Sequence, residues 1–132
     1  MTANCPFCAI NNTKSHERVV ASNNLAFAIR DGYPVTDGHS LIIPKRHTQS
    51  FFDLTADEQQ ALLALMETAK HGIDAEFAPN SYNVGINDGP AAGQTVPHVH
   101  IHLIPRYRKE GVDPRGGVRW VVPGKADYWS RG

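Results

Sequence analysis

Net charge is missing from this chain: thirteen Lys and Arg side chains are matched by thirteen Asp and Glu. Without a basic field, nothing draws the protein broadly to nucleic acid or to an anionic membrane surface, and a polyanionic ligand would have to be held by local devices. No apolar run is long enough to span a bilayer. The opening Met1-Thr2-Ala3-Asn4-Cys5-Pro6 lacks the basic and apolar regions of a secretory signal, so a cytoplasmic location is expected. Cysteine is scarce, with only Cys5 and Cys8. In a reducing compartment such a pair reflects metal binding or chance rather than a disulfide. Internal repeats and linker-like shifts in composition are also absent, and the 132 residues read as one domain large enough to bury a core.

What the chain does have is the run Pro97-His98-Val99-His100-Ile101-His102-Leu103-Ile104-Pro105. Successive side chains of a strand alternate faces, so His98, His100 and His102 share one face while Val99, Ile101 and Leu103 pack behind them. The β-branched residues favour a strand, and a helix would scatter the imidazoles around its circumference. Imidazole serves as nucleophile, acid, base or metal ligand near neutrality. Three on one face therefore form a device for chemistry or for metal binding.

The rest of the chain reads as an α+β domain, mostly antiparallel sheet with one long helix and one or more short ones. Cys5-Pro6-Phe7-Cys8 suggests a knuckle, followed by a polar loop to about Glu17. Residues 18–21 and 25–30 suggest two strands across the Ser22-Asn23-Asn24 turn, and Ser40 to Ile43 a third. Thr55-Ala56-Asp57-Glu58 has the spacing of a capping box. Leu62, Leu65, Met66, Ala69, Ile73 and Phe77 then recur at helical intervals, as core positions, up to Pro79. Tyr82 to Ile86 is a further strand. Asn87 to Val96 is a loop leading into the histidine strand. The tail from 108 to 132 is polar and glycine-rich, with Trp120-Val121-Val122 as a short strand.

These residues resemble the histidine triad (HIT) superfamily of nucleotidyl hydrolases and transferases. Gly38-His39-Ser40-Leu41-Ile42-Ile43-Pro44-Lys45 is similar to its second block, and Asn87-Asp88-Gly89-Pro90-Ala91-Ala92-Gly93-Gln94-Thr95 to its phosphate-side loop. Phe27-Ala28-Ile29, Pro34-Val35 and Gly89-Pro90 through Val96 resemble the branch that cleaves dinucleoside polyphosphates. The resemblance implies a single HIT domain over 1–132, with 1–17 a zinc knuckle and lead-in. It also implies a homodimer with helices packed at the subunit interface.

By the same resemblance His100 is the nucleophile, forming a nucleotidyl-histidine intermediate that water hydrolyses. One difficult displacement is thereby split into two easier ones. His98, His102 and His39 complete the catalytic set. Gly93, Gln94 and Thr95 would receive the phosphate, through close backbone approach at Gly93 and donors on Gln94 and Thr95. Asp31 matches the position that holds the ribose hydroxyls, and Asn87 a polar position near sugar and phosphate.

Cys5-x-x-Cys8 alone fits redox chemistry, a zinc half-site or neither, and no βαβ pattern supports a thioredoxin-like role. Some members of the superfamily bind zinc through positions matching Cys5, Cys8, His47 and His98. Two thiolates and two imidazoles close the shell, so such a zinc is structural. The dinucleotide-cleaving branch typically lacks these cysteines, and here the chain departs from it. Arg115 and Arg119 are candidates to contact distal phosphates or the leaving nucleotide. The leading function is cleavage of dinucleoside polyphosphates, with AMP-amine phosphoramidates second. A nucleotide-binding module without turnover is a different class, and the histidine at 100 speaks against it. A metallohydrolase ranks last, because neighbouring histidines on one strand stand about 6.6 Å apart at Cα.

Overall fold

A computed structural model describes residues 4–130. The readings made for Met1 to Ala3, and for the last two residues of the tail, lie outside them. The described chain forms α1 (Pro6–Asn11), β1 (Val19–Ser22), β2 (Ala26–Arg30), β3 (Ser40–Pro44), α2 (Ala56–Phe77), β4 (Ser81–Gly85) and β5 (Ile101–Arg106). The strands make a five-stranded antiparallel sheet in the order β1-β2-β3-β5-β4. No described helix is long and apolar enough to cross a membrane.

Alternation sorts the strand residues into two layers. Ala26, Ala28, Ile42, Val99, Ile101 and Leu103 face α2, which presents Leu62, Leu65, Ala69 and Ile73 to them. Met66 and Phe77, also expected in this core, are partly buried at its margin. Fully burying a Leu or Ile contributes about 1.5–3 kcal/mol, so this layer is the main source of stability. The opposite face carries Phe27, Ile29, Leu41 and Ile43, covered by Phe7, Cys8 and Ile10. The sheet's chemistry lies on this second face.

Helix α2 begins where the capping box places it. The Thr55 side chain accepts from the Glu58 backbone N–H, and the Glu58 carboxylate accepts from the Thr55 N–H. The same carboxylate takes two hydrogen bonds from Arg46, which hold it down at about 2 against the opposing effect of burial. The helix ends at Ala78 in the left-handed region, just before Pro79. Gly38 has a φ of +89°, and a Cβ there would stand 2.9 Å from the Phe77 ring. Only glycine lets the chain pass so close to the end of α2 before entering β3, and the next residue is His39.

Three local expectations are corrected. Residues 6–11 form helix α1, capped by the Cys5 side chain, in place of the polar loop expected directly after Cys8, because Pro6 is well suited to a first helical position. The hydrogen-bonded part of the histidine strand begins at Ile101 rather than near His98, although the alternation of faces extends back through Val99. Val99 N–H bonds instead to the Thr48 carbonyl. Residues 117–121 and 123–125 form 3-10 turns in place of a strand. Positive φ at Gly116 and Gly117, with Pro123 downstream, bends a segment whose side chains favour strands.

Candidate active site and metal centre

The register Leu41↔His102 puts His102 on the second face, and the reversal from β2 to β3 brings Asp31 and His39 beside it. His39 Nε2 is 3.0 Å from His102 Nδ1 and 3.4 Å from an Asp31 carboxylate oxygen. The other His39 nitrogen accepts the Val35 backbone N–H at 3.1 Å. A nitrogen that accepts carries no proton, so neutral His39 holds its proton on Nε2 and donates it to His102 Nδ1. His102 must then carry its own proton on Nε2. Burial depresses His102 to about 4 and also lowers His39, which keeps both rings neutral near pH 7.

His100 is oriented by the main chain. Its Nδ1 lies 2.9 Å from the His98 carbonyl oxygen. A carbonyl can only accept, so Nδ1 bears the proton and Nε2 of the neutral ring keeps a free lone pair. Phe7 packs edge-on against this ring with centroids 5.0 Å apart. His100 and His102 therefore present opposite functions at Nε2, a lone pair on one ring and an N–H on the other.

Both histidines line a cleft of about 430 Å³ together with Asp31, Asn87, Gly93, Gln94 and Thr95. The cleft gathers every expected site residue except His39, the tail arginines Arg115 and Arg119, and the Cys5, Cys8, His47 and His98 group. Pro6, Phe7, Arg18 and Tyr33 also line it, and sequence reasoning missed them. Tyr33 is 91% exposed and follows Asp31 in a turn where the aspartate accepts its N–H. The one available signal was the aromatic residues flanking Cys8 and Asp31.

Gln94 behaves differently from the expectation for its side chain. Its amide oxygen accepts the Gly89 N–H at 2.7 Å, and its amide nitrogen donates to the Gln49 and Val96 carbonyls, both at 3.0 Å. The buried amide is thus spent on holding the loop. Thr95 remains exposed at the mouth of the cleft. Arg115 is bound to the Asp113 carboxylate and stacked on Trp129. Arg119 donates to the Ala126 and Lys125 carbonyls and stacks on Tyr128. Both arginines fasten the tail to itself.

A second cluster lies beneath the first. His98 is fully buried and donates through Nε2 to the Pro44 carbonyl at 2.7 Å, so its Nδ1 offers a lone pair inward. That atom is 3.2 Å from His47 Nδ1, 3.4 Å from Cys5 Sγ and 3.5 Å from Cys8 Sγ. His47 Nδ1 is 3.3 Å from Cys8 Sγ. A tetrahedral zinc with bonds of about 2.0 Å to nitrogen and about 2.3 Å to sulfur has edges of roughly 3.3–3.6 Å between these donor types. These four separations match that shell, and all four donor atoms lie within 4.8 Å of one another. Burial pushes the Cys8 thiol up, and a cation is what such a site needs to hold thiolates. Asp31, His39 and His102 also converge, with donor atoms within 4.8 Å of one another. There the Val35 N–H puts the proton on the His39 nitrogen that faces the other two, which makes a hydrogen-bonded relay and not a metal shell.

A model of the HIT domain matches residues 12–109. The chain is 35% identical over 114 residues to a bis(5'-adenosyl)-triphosphatase of Saccharomyces cerevisiae, covering 86% of this chain and 52% of the yeast protein, about half its length. A HIT family protein from Bacillus anthracis is similar in structure, with a TM-score of 0.75 and 38% identity over 84% of this chain and 79% of that one. A zinc-bound histidine triad family protein from Mycobacterium smegmatis has a TM-score of 0.75 and 30% identity, with coverage of 86% and 82%.

Proposed function

This chain belongs to the HIT family, and from that premise we propose that it is a nucleotidyl hydrolase that cleaves dinucleoside polyphosphates and releases a nucleoside monophosphate. The observation that carries the reading is the pair of fixed tautomers: the His98 carbonyl leaves His100 Nε2 with a lone pair, and His39 leaves His102 Nε2 with a proton. A nucleophile and a neutral donor side by side are what in-line attack on a phosphorus requires. The likeness to a yeast bis(5'-adenosyl)-triphosphatase supports the choice of substrate.

In this mechanism the Nε2 lone pair of His100 forms a bond to the α-phosphorus. The bond from that phosphorus to the bridging oxygen breaks, and its electron pair leaves with the second nucleotide. The His102 N–H donates to the oxygens on which charge develops. Water then attacks the same phosphorus, the phosphorus–nitrogen bond returns its pair to His100, and a proton passes to solvent. Asp31 holds the ribose hydroxyls, and Asn87 binds near sugar and phosphate. The loop braced by Gln94 presents Gly93 and Thr95 to the phosphate. Cys5, Cys8, His47 and His98 would hold a zinc ion, which when bound supplies rigidity beside His100 and no reacting ligand.

The test compares kcat/KM for diadenosine triphosphate and for adenosine 5'-phosphoramidate. Efficient release of AMP from the dinucleotide supports the reading. Turnover of the phosphoramidate alone would overturn it in favour of a phosphoramidase, and turnover of neither in favour of a binding module.

A further inference from the structure

A second cavity, of about 470 Å³, opens on the other side of His102. It shares Asn87 and His102 with the first cleft, so the two spaces meet at the reacting end of the site. Its walls include Val35, Ile104 and Val118, and its polar lining includes Asn83, Arg106 and Glu110. The tail supplies one wall. Gly117 sits at a φ of +47°, so close to β4 that a Cβ would lie 3.2 Å from the Asn83 amide nitrogen.

The charge of this cavity restricts its occupant. Among the described lining residues Arg106 is the only Lys or Arg. Its guanidinium donates to Glu110 at 2.8 Å and 3.1 Å and to Asn83 at 2.7 Å, which leaves no uncompensated positive charge for a chain of phosphates. The remaining wall is largely apolar, and the volume lies within the range of small-molecule sites. The two cavities are also of similar size, as suits a substrate with similar ends.

Resting on the reading proposed above, we infer that the second cavity seats the nucleoside of the leaving nucleotide. That part of the substrate is uncharged and carries a planar base. The phosphates span the region of His100 and His102 between the two cavities, and Asn83, whose Oδ1 is taken by Arg106, keeps its amide nitrogen for a base or ribose. The tail, through Val118, is then a determinant of leaving-group selectivity.

The test is binding to His100→Ala protein, which holds substrate without turning it over. Diadenosine triphosphate and AMP are titrated into His100→Ala and into the double variant carrying Val118→Trp. Val118 is 61% exposed, so the larger ring fills the cavity without disturbing the core. The expected result is tighter binding of the dinucleotide than of AMP to His100→Ala, with Val118→Trp weakening the dinucleotide about tenfold and leaving AMP within twofold. Equal affinity for the two ligands, or an equal effect of Val118→Trp on both, overturns the inference. Absence of turnover by the wild-type protein would overturn the proposed function instead, and the binding result would still decide the role of the cavity.

Discussion

His39 Nε2 stands 3.0 Å from His102 Nδ1, and the Val35 N–H on the far nitrogen of His39 decides which way that hydrogen bond runs. A backbone amide thereby sets the proton on a ring two hydrogen bonds away. His39 is a positioning residue, and replacing it should release His102 to populate both tautomers. His39→Ala should lower kcat about tenfold, equivalent to about 1.4 kcal/mol, with KM little changed. Nitrogen-15 NMR of His102 should show the mixture, and His39→Gln, which retains an N–H donor, should recover part of the loss. A single unchanged tautomer in His39→Ala would contradict this account.

The buried imidazoles should make the fold sensitive to acid. Burial, with repulsion from His100 and His39, lowers His102 to about 4 against the pull of Asp31. In the unfolded chain the same ring titrates at about 6.5. The unfolded state therefore binds a proton first as pH falls, so this contribution to stability is complete above about 6.5 and declines toward 4. Urea unfolding at pH 7.5 and pH 5 should show the loss, and His102→Asn should show a smaller one. Equal losses in the two proteins would dismiss His102 as the cause.

Gln94 should matter more to the loop than to the phosphate. Truncation to Ala leaves the Gly89 N–H and the Gln49 and Val96 carbonyls without their partner. A buried group left unpaired costs about 1–3 kcal/mol, so Gln94→Ala should lose stability on that scale. Exchange of the Gly89 amide hydrogen should accelerate. Unchanged exchange would mean that the loop is held by other contacts.

The cluster of Cys5, Cys8, His47 and His98 should carry one zinc per chain in purified protein, measured by elemental analysis. Cys8→Ser should release it and lower Tm, since binding to a site formed only in the folded state adds to folding free energy. Metal-free wild-type protein with an unchanged Tm would remove zinc from the description.

Features set by neighbours in sequence were readable in advance. Thr55 and Glu58 lie three residues apart and cap α2 as that spacing requires. The alternation from His98 to Leu103 assigned the two faces correctly, because a period of two survives even where strand pairing does not. The metal shell was reached through resemblance, since Cys5-x-x-Cys8 alone left several chemistries open.

Features set by backbone groups, near or far in sequence, were not readable. The Gln49 carbonyl lies 45 positions before Gln94 and absorbs one of its donors. No side-chain pattern announces that the Val35 amide reaches His39. Arg119 is held by the Lys125 and Ala126 carbonyls and the Tyr128 ring, partners that no side-chain pattern announces, whereas the Asp113 partner of Arg115 lies only two positions away. The segment 120–122 favoured a strand by composition, but Gly116, Gly117 and Pro123 bend it into 3-10 turns.

In the proposed mechanism His100 becomes covalently nucleotidylated. The most direct test of this step is intact mass spectrometry after brief mixing with diadenosine triphosphate and a quench that avoids acid, on the wild type and on His100→Ala. A transient adenylyl adduct is expected on the wild type and none on the variant. AMP released equally by both proteins, with no adduct on either, would contradict this mechanism.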